Sequence, residues 1–582
     1  MAVWRRRQGG TAKAPEGSWQ KTISAPAFVP DGRIIPFVSL LSHLPNMLHR
    51  KLVAFLTISQ ALLVLARPDH HPVTGPPVGS PSEGVPLRRN INEFATAAGP
   101  QWDLYLLALR AMQQENDENP LSFFQIMGIH GAPYIEWNGA GAQVDGEWQG
   151  YCPHAEDIFL PWHRPYTSLF EQVLVSKAKE IALTYPESVR AEYSHAADTL
   201  RSPYWDWAAD SRVPPATVPF KVRVNHSSGA NGDGPLGEIE LDNPLRVYRF
   251  PKDVLEGKYG RFDVYKRPEV YRCRKGGYPA EANRRMTRFP YGQWVYDIFS
   301  GARNFVEFFR GNGGIISLEQ LHDSVHFDCA CREQMLELEF TAYDALFMLH
   351  HTQMDRLWAY WQALHHDDGD DVFREPYLGR SRFDAAKGAV INVDSPLTPF
   401  FHPSKAFHTT RSVRDIRDFG YSYEGLEWWR RDKDQMRREA ARIINGYGAP
   451  KRQTRRHFAR LRLHVADFGR PCMIYVRVKD RIVTRVTAES WPNPGNTWTG
   501  FSLDELGVDQ HDLTNLTIGL QVSRYNGSDV PLEAVTQISA EVEVVDVTPP
   551  LSVEELTRPR PSHILPASVM LIRGQNGTTL SE

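Results

Sequence analysis

Apolar residues recur every three to four positions through much of the chain between residues 87 and 423. This period is typical of amphipathic helices, and it predicts helices over 101–114, 164–185 and 340–364. Long stretches rich in glycine and proline, notably 208–300, separate the helices and predict loops. The first domain, residues 67–424, is therefore expected to be mainly α, with long loops.

The apolar period changes to two in the C-terminal part of the chain. Alternating apolar residues predict strands at 461–465, 474–478 and 538–544. Residues 456–548 are accordingly expected to form a small antiparallel β-sandwich domain. A charged helix at 428–444 and basic residues at 451–456 precede this domain, so residues 425–455 are interpreted as a helical and basic linker. The Pro-rich residues 549–582 are expected to form a tail.

Residues 47–66 have the pattern of a secretory signal peptide. A basic start, Met47-Leu-His-Arg-Lys, precedes the apolar run 52–66, which is too short for a comfortable membrane span. Secretion is the preferred interpretation and leaves residues 1–46 as an extension of doubtful status. A buried core helix in an intracellular protein is the alternative. Asn-x-Ser/Thr sequons also favour secretion and glycosylation, and they begin at Asn225, Asn515, Asn526 and Asn576.

Composition excludes several classes of partner. Lys plus Arg number 66 and Asp plus Glu number 69, so the formal net charge of −3 gives no reason to expect a nucleic-acid partner. Five Cys in 582 residues are too few for a disulfide scaffold. No stretch beyond the apolar run of the signal pattern could span a membrane. The 21 His indicate metal binding through imidazole, although composition does not locate a site.

One pair of histidines has the spacing of a metal site. His322 and His326 lie in a predicted helix, 317–325, where a separation of four places both imidazoles on one face. A third imidazole, His350 or His351, lies on the next predicted helix. A second group of three lies upstream, at His130, His154 and His163. Two such groups suit a pair of copper ions, because neutral imidazole binds copper well and no carboxylate-rich constellation suggests a harder metal.

Five sequence strings around these histidines resemble fungal tyrosinases, the type 3 copper polyphenol oxidases. The strings are Gly128-Ile-His-Gly, Gly150-Tyr-Cys-Pro-His, Phe159-Leu-Pro-Trp-His-Arg-Pro-Tyr, Arg201-Ser-Pro-Tyr-Trp-Asp-Trp-Ala and Leu349-His-His-Thr-Gln-Met-Asp-Arg-Leu-Trp. The resemblance implies a four-helix bundle around two copper ions, each held by three histidines. It assigns the first copper to His130, His154 and His163, and the second to His322, His326 and His351, with His350 beside them. It also implies a thioether between Cys152 and His154.

Two further residues lie one helical turn on either side of His351. Phe347 could pack over the ligand rings, and Asp355 could accept the second ring N–H of the ligand or pair with an arginine such as Arg356. Both could equally be ordinary residues of a helix face. In the family a Tyr-x-Tyr motif closes the catalytic domain and pairs with an arginine near its start. The matching residues, interpreted as structural, are Tyr421, Tyr423 and either Arg88 or Arg89.

The resemblance implies a function that uses O₂ and a small phenol. The expected reaction oxidises o-diphenols to o-quinones, and hydroxylation of monophenols is a further expectation. Fungal tyrosinases usually carry Asn after the first histidine of the second group, where this chain has Asp323. Asp323 could act as a base or orient a water, or its charge could disfavour a phenolate. The alternatives are a non-catalytic, hemocyanin-like O₂-binding protein and a tailoring oxidase for one phenolic metabolite.

The resemblance also gives the β domain an expected role. In the family, a C-terminal domain covers the copper site and keeps the enzyme latent until the linker is cleaved. The basic residues 451–456 suit such a cleavage, and a plain solvated linker is the alternative. Cys329 and Cys331 lack a second pair of cysteines, so ordinary thiols are expected there rather than a soft-metal site.

Overall fold

The computed structural model describes residues 70–78, 84–141, 149–227, 234–274, 276–311, 316–464, 472–479, 481–488, 496–506, 510–513, 516–524 and 538–572. The predicted signal peptide and the extension before it lie outside these residues, as do the sequons at Asn515, Asn526 and Asn576. Within the described part of the chain, no helix has the length and apolar character needed to cross a membrane.

Helices dominate the described residues up to 448. They are α1 (Ile91–Ala97), α2 (Pro100–Gln114), α3 (Phe123–Gly128), α4 (Phe159–Ala182), α5 (Glu187–Asp198), α6 (Lys252–Leu255), α7 (Ala280–Met286), α8 (Tyr291–Gly301), α9 (Phe305–Arg310), α10 (Leu318–Asp328), α11 (Ala345–Leu364) and α12 (Lys433–Gly448), followed in the second domain by α13 (Gln510–Leu513). The helices predicted from the apolar period are confirmed as α2, α4 and α11. The stretch 208–300, expected to be loops, also contains α6, α7 and most of α8.

Three predicted helix starts are displaced by about one turn. Helix α4 begins at Phe159 rather than 164, and Pro165 lies inside it. Helix α11 begins at Ala345 rather than 340, because the Asp344 side chain accepts the N–H of Leu346 and caps the helix there. Helix α12 begins at Lys433 rather than 428, where Asp432 and Gln435 form a capping box. In α11 and α12 a polar cap, rather than the apolar period, sets the boundary, whereas α4 has no side-chain cap.

Helices α4 and α11 form the centre of the helical domain. Helix α11 buries every residue from Leu346 to Trp361, so it is surrounded on all sides. Helix α4 packs against α11 and also against α2 and α5, while α12 packs against α8 and α11. The described residues of this domain also form three two-stranded sheets. The pairs are β1 (Lys221–Ser227) with β2 (Leu236–Asp242), β3 (Tyr377–Leu378) with β4 (Val390–Ile391), and β5 (Pro396–Phe401) with β6 (Phe407–Thr409).

The C-terminal strands form one seven-stranded sheet. They are β7 (Thr454–His464), β8 (Cys472–Val478), β9 (Arg481–Ala488), β10 (Asn496–Ser502), β11 (Thr517–Arg524), β12 (Ile538–Val547) and β13 (Arg560–Ile572), in the order β10-β7-β12-β13-β11-β8-β9. Side chains from both halves of the sheet share one apolar core, which includes Leu461, Val476 and Leu520. The strands predicted from the period of two are confirmed as β7, β8 and β12.

Two expectations about this domain are wrong. The sheet is not purely antiparallel, because β11 and β13 pair in parallel. Strand β13 also lies within residues 549–582, which were expected to be a tail. It pairs with β12 through Arg560 to Ala567 and with β11 through Ser568 to Ile572, so it joins the two halves of the sheet. Its prolines, Pro561 and Pro566, obscure the strand in the sequence.

The β domain packs against α10 at both ends of the helix. Arg485 of β9 forms a buried ion pair with Asp328, and its guanidinium lies 4.1 Å from the centre of the Phe327 ring. The Gln320 side chain donates to the Thr484 hydroxyl at 2.8 Å. A second buried ion pair joins Arg456 of β7 to Asp297 of α8. Helix α10 is thus held between the helical core and the sheet.

Candidate metal centre

Two groups of metal-ligating side chains lie buried in the helical domain. One consists of His322, His326, His350 and His351, and the other of His130, Cys152 and His154. Within each group the candidate ligand atoms all lie within 4.8 Å of one another. All the histidines that the sequence assigned to two copper sites are therefore buried in these clusters or, in the case of His163, in contact with both of them.

We call His130, Cys152, His154 and His163 the first cluster, and His322, His326, His350 and His351 the second cluster, following their order in the chain. The second cluster is built by α10 and α11. The Nε2 atoms of His322 and His326 each lie 3.3 Å from Nε2 of His351, so three ring nitrogens converge on one point. The other ring nitrogens of the α10 pair are occupied: Nδ1 of His322 lies 3.0 Å from an Asp323 oxygen, and Nδ1 of His326 donates to the Met335 carbonyl at 2.8 Å. This arrangement leaves the Nε2 lone pairs for a metal.

His350 has a different environment from its neighbour. The Trp207 indole N–H, which can only donate, bonds to Nδ1 of His350 at 3.0 Å. Burial lowers the pKa of His350 well below its ordinary value, so the ring is neutral and carries its single proton on Nε2. A protonated nitrogen has no lone pair for a metal. His351 is therefore the candidate ligand, and His350 supports the cluster by stacking on His322.

The first cluster draws its histidines from three places in the chain. His130 follows α3, His154 lies in the loop before α4, and His163 lies in the second turn of α4. Nδ1 of His130 lies 3.1 Å from the Leu338 carbonyl, and Nδ1 of His163 lies 2.8 Å from the Phe159 carbonyl, one turn back. In both rings the hydrogen-bonded nitrogen is Nδ1, which directs Nε2 to the centre. The Cys152 sulfur lies 3.4 Å from Nε2 of His154.

The two clusters face each other through a stacked pair of rings. His163 and His351 lie 4.2 Å apart between ring centres, with their planes 18° apart. Phe347 stacks on His351 at 4.0 Å and meets His130 edge-on at 5.0 Å. Phe347 thus packs over ligand rings of both clusters, which is the first of the two roles expected for it.

Burial lowers the pKa of every histidine in the two clusters. The pKa values of His130 and His322 fall to about 3, and those of the other ligand histidines are also lowered well below their ordinary value. Mutual repulsion between the rings adds to this effect in most of them. The imidazoles are consequently neutral at neutral pH, which is the form that binds copper. The donor set, its orientation and its protonation state all fit a pair of metal ions.

Asp355 belongs to a structural network rather than to the metal ligands. Its carboxylate accepts from Arg164 at 2.6 Å and Arg88 at 3.0 Å, and from the hydroxyls of Tyr421 at 2.6 Å and Tyr423 at 2.7 Å. The expected pairing with Arg356 is wrong, because that guanidinium binds Asp206. The Tyr-x-Tyr motif therefore meets an arginine and the metal-bearing helix at one buried carboxylate.

The structure also selects between the two candidate arginines. Arg88 is buried, pairs with Glu171 at 2.9 Å and lies 3.4 Å from the centre of the Tyr421 ring. Arg89 instead points to the exposed surface, where its guanidinium donates to the Gln101 side-chain oxygen at 3.5 Å. Arg88 is thus the residue that ties the Tyr-x-Tyr motif to the start of the domain.

A small cavity opens onto both clusters. Beside the histidines it is lined by Asp323, Met335, Leu336, Leu338 and Thr341. The Asp323 side chain keeps 32% of its surface exposed, and burial raises its pKa. Glu319, one turn earlier on α10, also has a raised pKa, first because of burial and then because of the Asp323 charge. Sequence reasoning missed Glu319, although its spacing of four from Asp323 could have revealed the pair.

One covalent link near the site was not expected. Cys331 forms a disulfide with Cys273, so the prediction of ordinary thiols is wrong for Cys331. Cys329 is a buried free thiol. Cys273 and Cys331 are 58 residues apart, and nothing in the sequence pattern links them.

A helical domain that buries two facing groups of three imidazoles defines a binuclear metal protein. Residues 120–364 match the family model described as the common central domain of tyrosinase. This part of the chain is thus similar to the central domain of tyrosinases, a family whose site holds two copper ions, and its buried histidines could hold metal ions.

Known relatives and structures agree with that assignment. The chain is 32% identical over 385 residues to a tyrosinase of Podospora anserina, which covers 62% of this chain and 65% of that protein. It is 32% identical over 387 residues to a tyrosinase of Neurospora crassa, covering 62% of this chain and 55% of that one. A crystal structure of latent and active mushroom tyrosinase shares the fold, with a TM-score of 0.71, 21% identity, and coverage of 87% of this chain and 100% of that chain. The chain thus spans less than two thirds of the length of either tyrosinase.

Proposed function

We propose that the protein is a type 3 copper oxidoreductase that oxidises o-diphenols to o-quinones with O₂. The observation that carries this proposal is a pair of buried histidine clusters held neutral, one with three converging Nε2 atoms and the other with candidate ligand atoms within 4.8 Å of one another. When bound, a copper pair supplies the two-electron chemistry with O₂ that no side chain can perform. Helices α4, α10 and α11 carry histidines and α3 ends two residues before His130, and these four helices would form the four-helix bundle of the family.

Three histidines hold each ion in this proposal. The first copper takes His130, His154 and His163, and the second takes His322, His326 and His351. Cys152 is proposed to form a thioether with a ring carbon of His154, as the resemblance implies; its sulfur lies 3.4 Å from Nε2 of His154 and 3.5 Å from Nε2 of His163. That bond releases two hydrogens to an oxidant such as O₂, so the mature chain would be about 2 Da lighter than its sequence mass.

The remaining residues of the cavity position a phenol and keep water out. Met335, Leu336 and Leu338 give apolar walls, and Phe347 fixes the ligand rings from behind. Asp323 is proposed to accept the hydroxyl proton of an incoming monophenol, because its carboxylate lines the cavity and has a raised pKa. Hydroxylation then depends on Asp323 more than diphenol oxidation does.

An assay with a monophenol and its catechol tests both statements. The copper-loaded protein should oxidise the catechol, and Asp323→Ala, which removes the carboxylate without installing the asparagine usual in the family, should lower the turnover of the monophenol by about 100-fold while changing that of the catechol much less. Equal losses on both substrates would refute the base role of Asp323. Reversible O₂ binding without turnover of any phenol would instead support a hemocyanin-like carrier.

The β domain is proposed to cover the cavity and keep the enzyme latent. Its residues Met473 and Tyr475 pack against Leu336, which lines the cavity. Within the basic segment 451–456, Lys451 and Arg452 are exposed, whereas Arg456 is engaged with Asp297 in a buried pair. Arg455 is also exposed, but it lies within β7 and pairs with Asp546, so cleavage would occur at Lys451 or Arg452.

Secretion is proposed on two grounds. Residues 47–66 have the signal-peptide pattern, and the Cys273–Cys331 disulfide suits an oxidising compartment. The described sequon asparagine, Asn225, is exposed on β1, although its side chain also bonds to Asp103. The mature chain would begin after the signal, and its N-terminal sequence would test this.

A further inference from the structure

The turn between α10 and residue 337 contacts both the histidine cavity and the β domain. We refer to residues 329–336 as the bridging turn. Met335 and Leu336 line the cavity, and Leu336 also packs against Met473 and Tyr475 of β8. Arg332 donates to the Tyr475 hydroxyl at 3.0 Å. The position of the bridging turn therefore affects the second histidine cluster directly.

The carbonyl of Met335 fixes the ring of His326. It accepts from Nδ1 of His326 at 2.8 Å and from the Thr341 hydroxyl at 2.7 Å. With its proton committed to this bond, the His326 ring keeps its lone pair on Nε2, the atom that points to the cluster centre. Outer contacts of this kind set the orientation and basicity of a metal-binding imidazole.

The conformation of the bridging turn needs an external restraint. Cys331 and Arg332 have φ values of +60° and +68°, and Cys273 has a φ of +44°. Residues other than glycine persist in this region only where the surrounding structure holds them there. The Cys273–Cys331 disulfide supplies such a restraint from outside the turn.

The Cys273 side of the disulfide is firmly anchored. The adjacent Arg272 is buried and binds Asp344, the N-cap of α11, at 2.6 Å. Arg272 also donates to the Leu245 carbonyl at 2.9 Å. The disulfide consequently ties the bridging turn to the start of the helix that carries His351.

We propose that Cys273 and Cys331 are a positioning pair for His326. The disulfide holds the bridging turn so that the Met335 carbonyl orients the ring, and this inference rests on the proposed function of His326 as a copper ligand. Reduction by a dithiol moves two electrons and two protons to the disulfide, giving two cysteine thiols and a cyclic disulfide of the reagent. The freed turn retains non-covalent links to residues 269–274. They are the bond from the Cys273 N–H to the Ala330 carbonyl, the bonds of the Gln334 side chain to the Tyr271 N–H and the Glu269 carbonyl, and the Arg274–Glu333 ion pair.

The first cluster does not share this dependence. Its comparable contact, from the Leu338 carbonyl to His130, has separate anchors on both sides. Glu337 binds Arg267 at 2.6 Å, and the Ala132 N–H donates to the Glu339 carbonyl at 3.0 Å. Loss of the disulfide should therefore weaken one copper ion and spare the other.

Competition for Cu(I) between the full chain and a chromophoric chelator, without O₂, measures this directly. In the double variant Cys273→Ser with Cys331→Ser, one of two ions should bind about 10- to 100-fold more weakly, and the other should change by less than about twofold. Arg274→Ala is the matched control, because it removes an exposed ion pair to Glu333 that joins the same two segments. It should leave both affinities unchanged.

The native chain, reduced with dithiothreitol, alkylated and freed of reagent, should reproduce the double variant even if that variant folds poorly. The same treatment should have no further effect on a folded double variant. Unchanged affinities, or equal weakening of both ions, would overturn the positioning role. A native chain that binds fewer than two Cu(I) ions would instead refute the proposed function.

Discussion

His350 and His351 are neighbours in the sequence, but only His351 presents a lone pair to the second cluster. His351→Asn should lower the copper content from two ions to one, because it removes one of three converging nitrogens. His350→Gln should retain two ions, since the glutamine oxygen can still accept from Trp207. Metal analysis of both purified variants decides between the residues, and loss of an ion in the His350 variant would contradict the assignment.

The buried histidines should make the copper-free protein labile to acid. Burial lowers the pKa of His130 and His322 to about 3, whereas an unfolded histidine titrates near 6.5. The unfolded chain therefore binds more protons, and stability falls as the pH drops below about 6.5 until the folded pKa near 3 is passed. At pH 5, each of these two histidines should lower the free energy of unfolding by about 2 kcal/mol relative to pH 7.

Urea unfolding of the copper-free protein at pH 7 and pH 5 measures this difference. In His130→Gln the difference should shrink by about 2 kcal/mol, because the histidine that must be protonated is gone. His366→Gln is the control, since that side chain is exposed and lies outside both clusters. An unchanged difference in the His130 variant would contradict the explanation.

At the scale of elements, the network around Asp355 joins α4, α11 and the Tyr-x-Tyr motif. Asp355→Ala would leave Arg88 and Arg164 buried without their shared carboxylate. The free energy of unfolding should fall by about 3–5 kcal/mol. Asp394→Ala removes an ion pair with Arg411 in which both side chains are more than 60% exposed, and it should cost less than about 1 kcal/mol. Similar losses in the two variants would argue against the network.

The elements with a regular apolar period could be predicted, and those set by long-range contacts could not. Helices α2 and α11 and strands β7, β8 and β12 follow their periods closely. Strand β13 could not be predicted from the sequence, because its partners β11 and β12 belong to other parts of the chain and because it contains prolines. Helix α4 starts earlier than its apolar period because its first turn is buried around the first histidine cluster.

The candidate site was predicted in the same uneven way. Spacing alone identified His322 and His326, while the assignment of the other ligands came from the resemblance to tyrosinases. Spacing could not separate His350 from His351. The resemblance assigned His351 as the ligand, and the structure adds a physical reason, a single bond to His350 from Trp207, 143 residues away. The Cys273–Cys331 link and the role of Arg88 likewise depend on contacts that no local pattern encodes.

At the scale of the whole molecule, the β domain and the helical domain meet through α10. Arg485→Ala would remove the cation that pairs with buried Asp328, and breaking such a pair costs about 3–5 kcal/mol. The equilibrium between the β domain packed on α10 and the β domain released from it should shift towards the released form by about 100-fold or more. The uncleaved chain should then oxidise catechol faster.

Catechol turnover before and after limited trypsin treatment provides the measurement. Cleavage should activate the native chain strongly and the Arg485 variant only slightly. Arg455→Ala is the control, because Arg455 pairs with Asp546 within the β domain. Strong latency in the Arg485 variant would show that this ion pair does not hold the cover in place.

Strand β13 has a consequence for the order of events during synthesis. It occupies the middle of the sheet yet is the last of the described strands. If the β domain acts as the proposed cover, this cover therefore cannot close before residue 572 has left the ribosome. The last histidine of the clusters, His351, emerges more than about 200 residues earlier. At typical elongation rates this leaves a window on the order of ten seconds or more. During that time the nascent helical domain is open to metal ions, and a cofactor could enter before the lid exists.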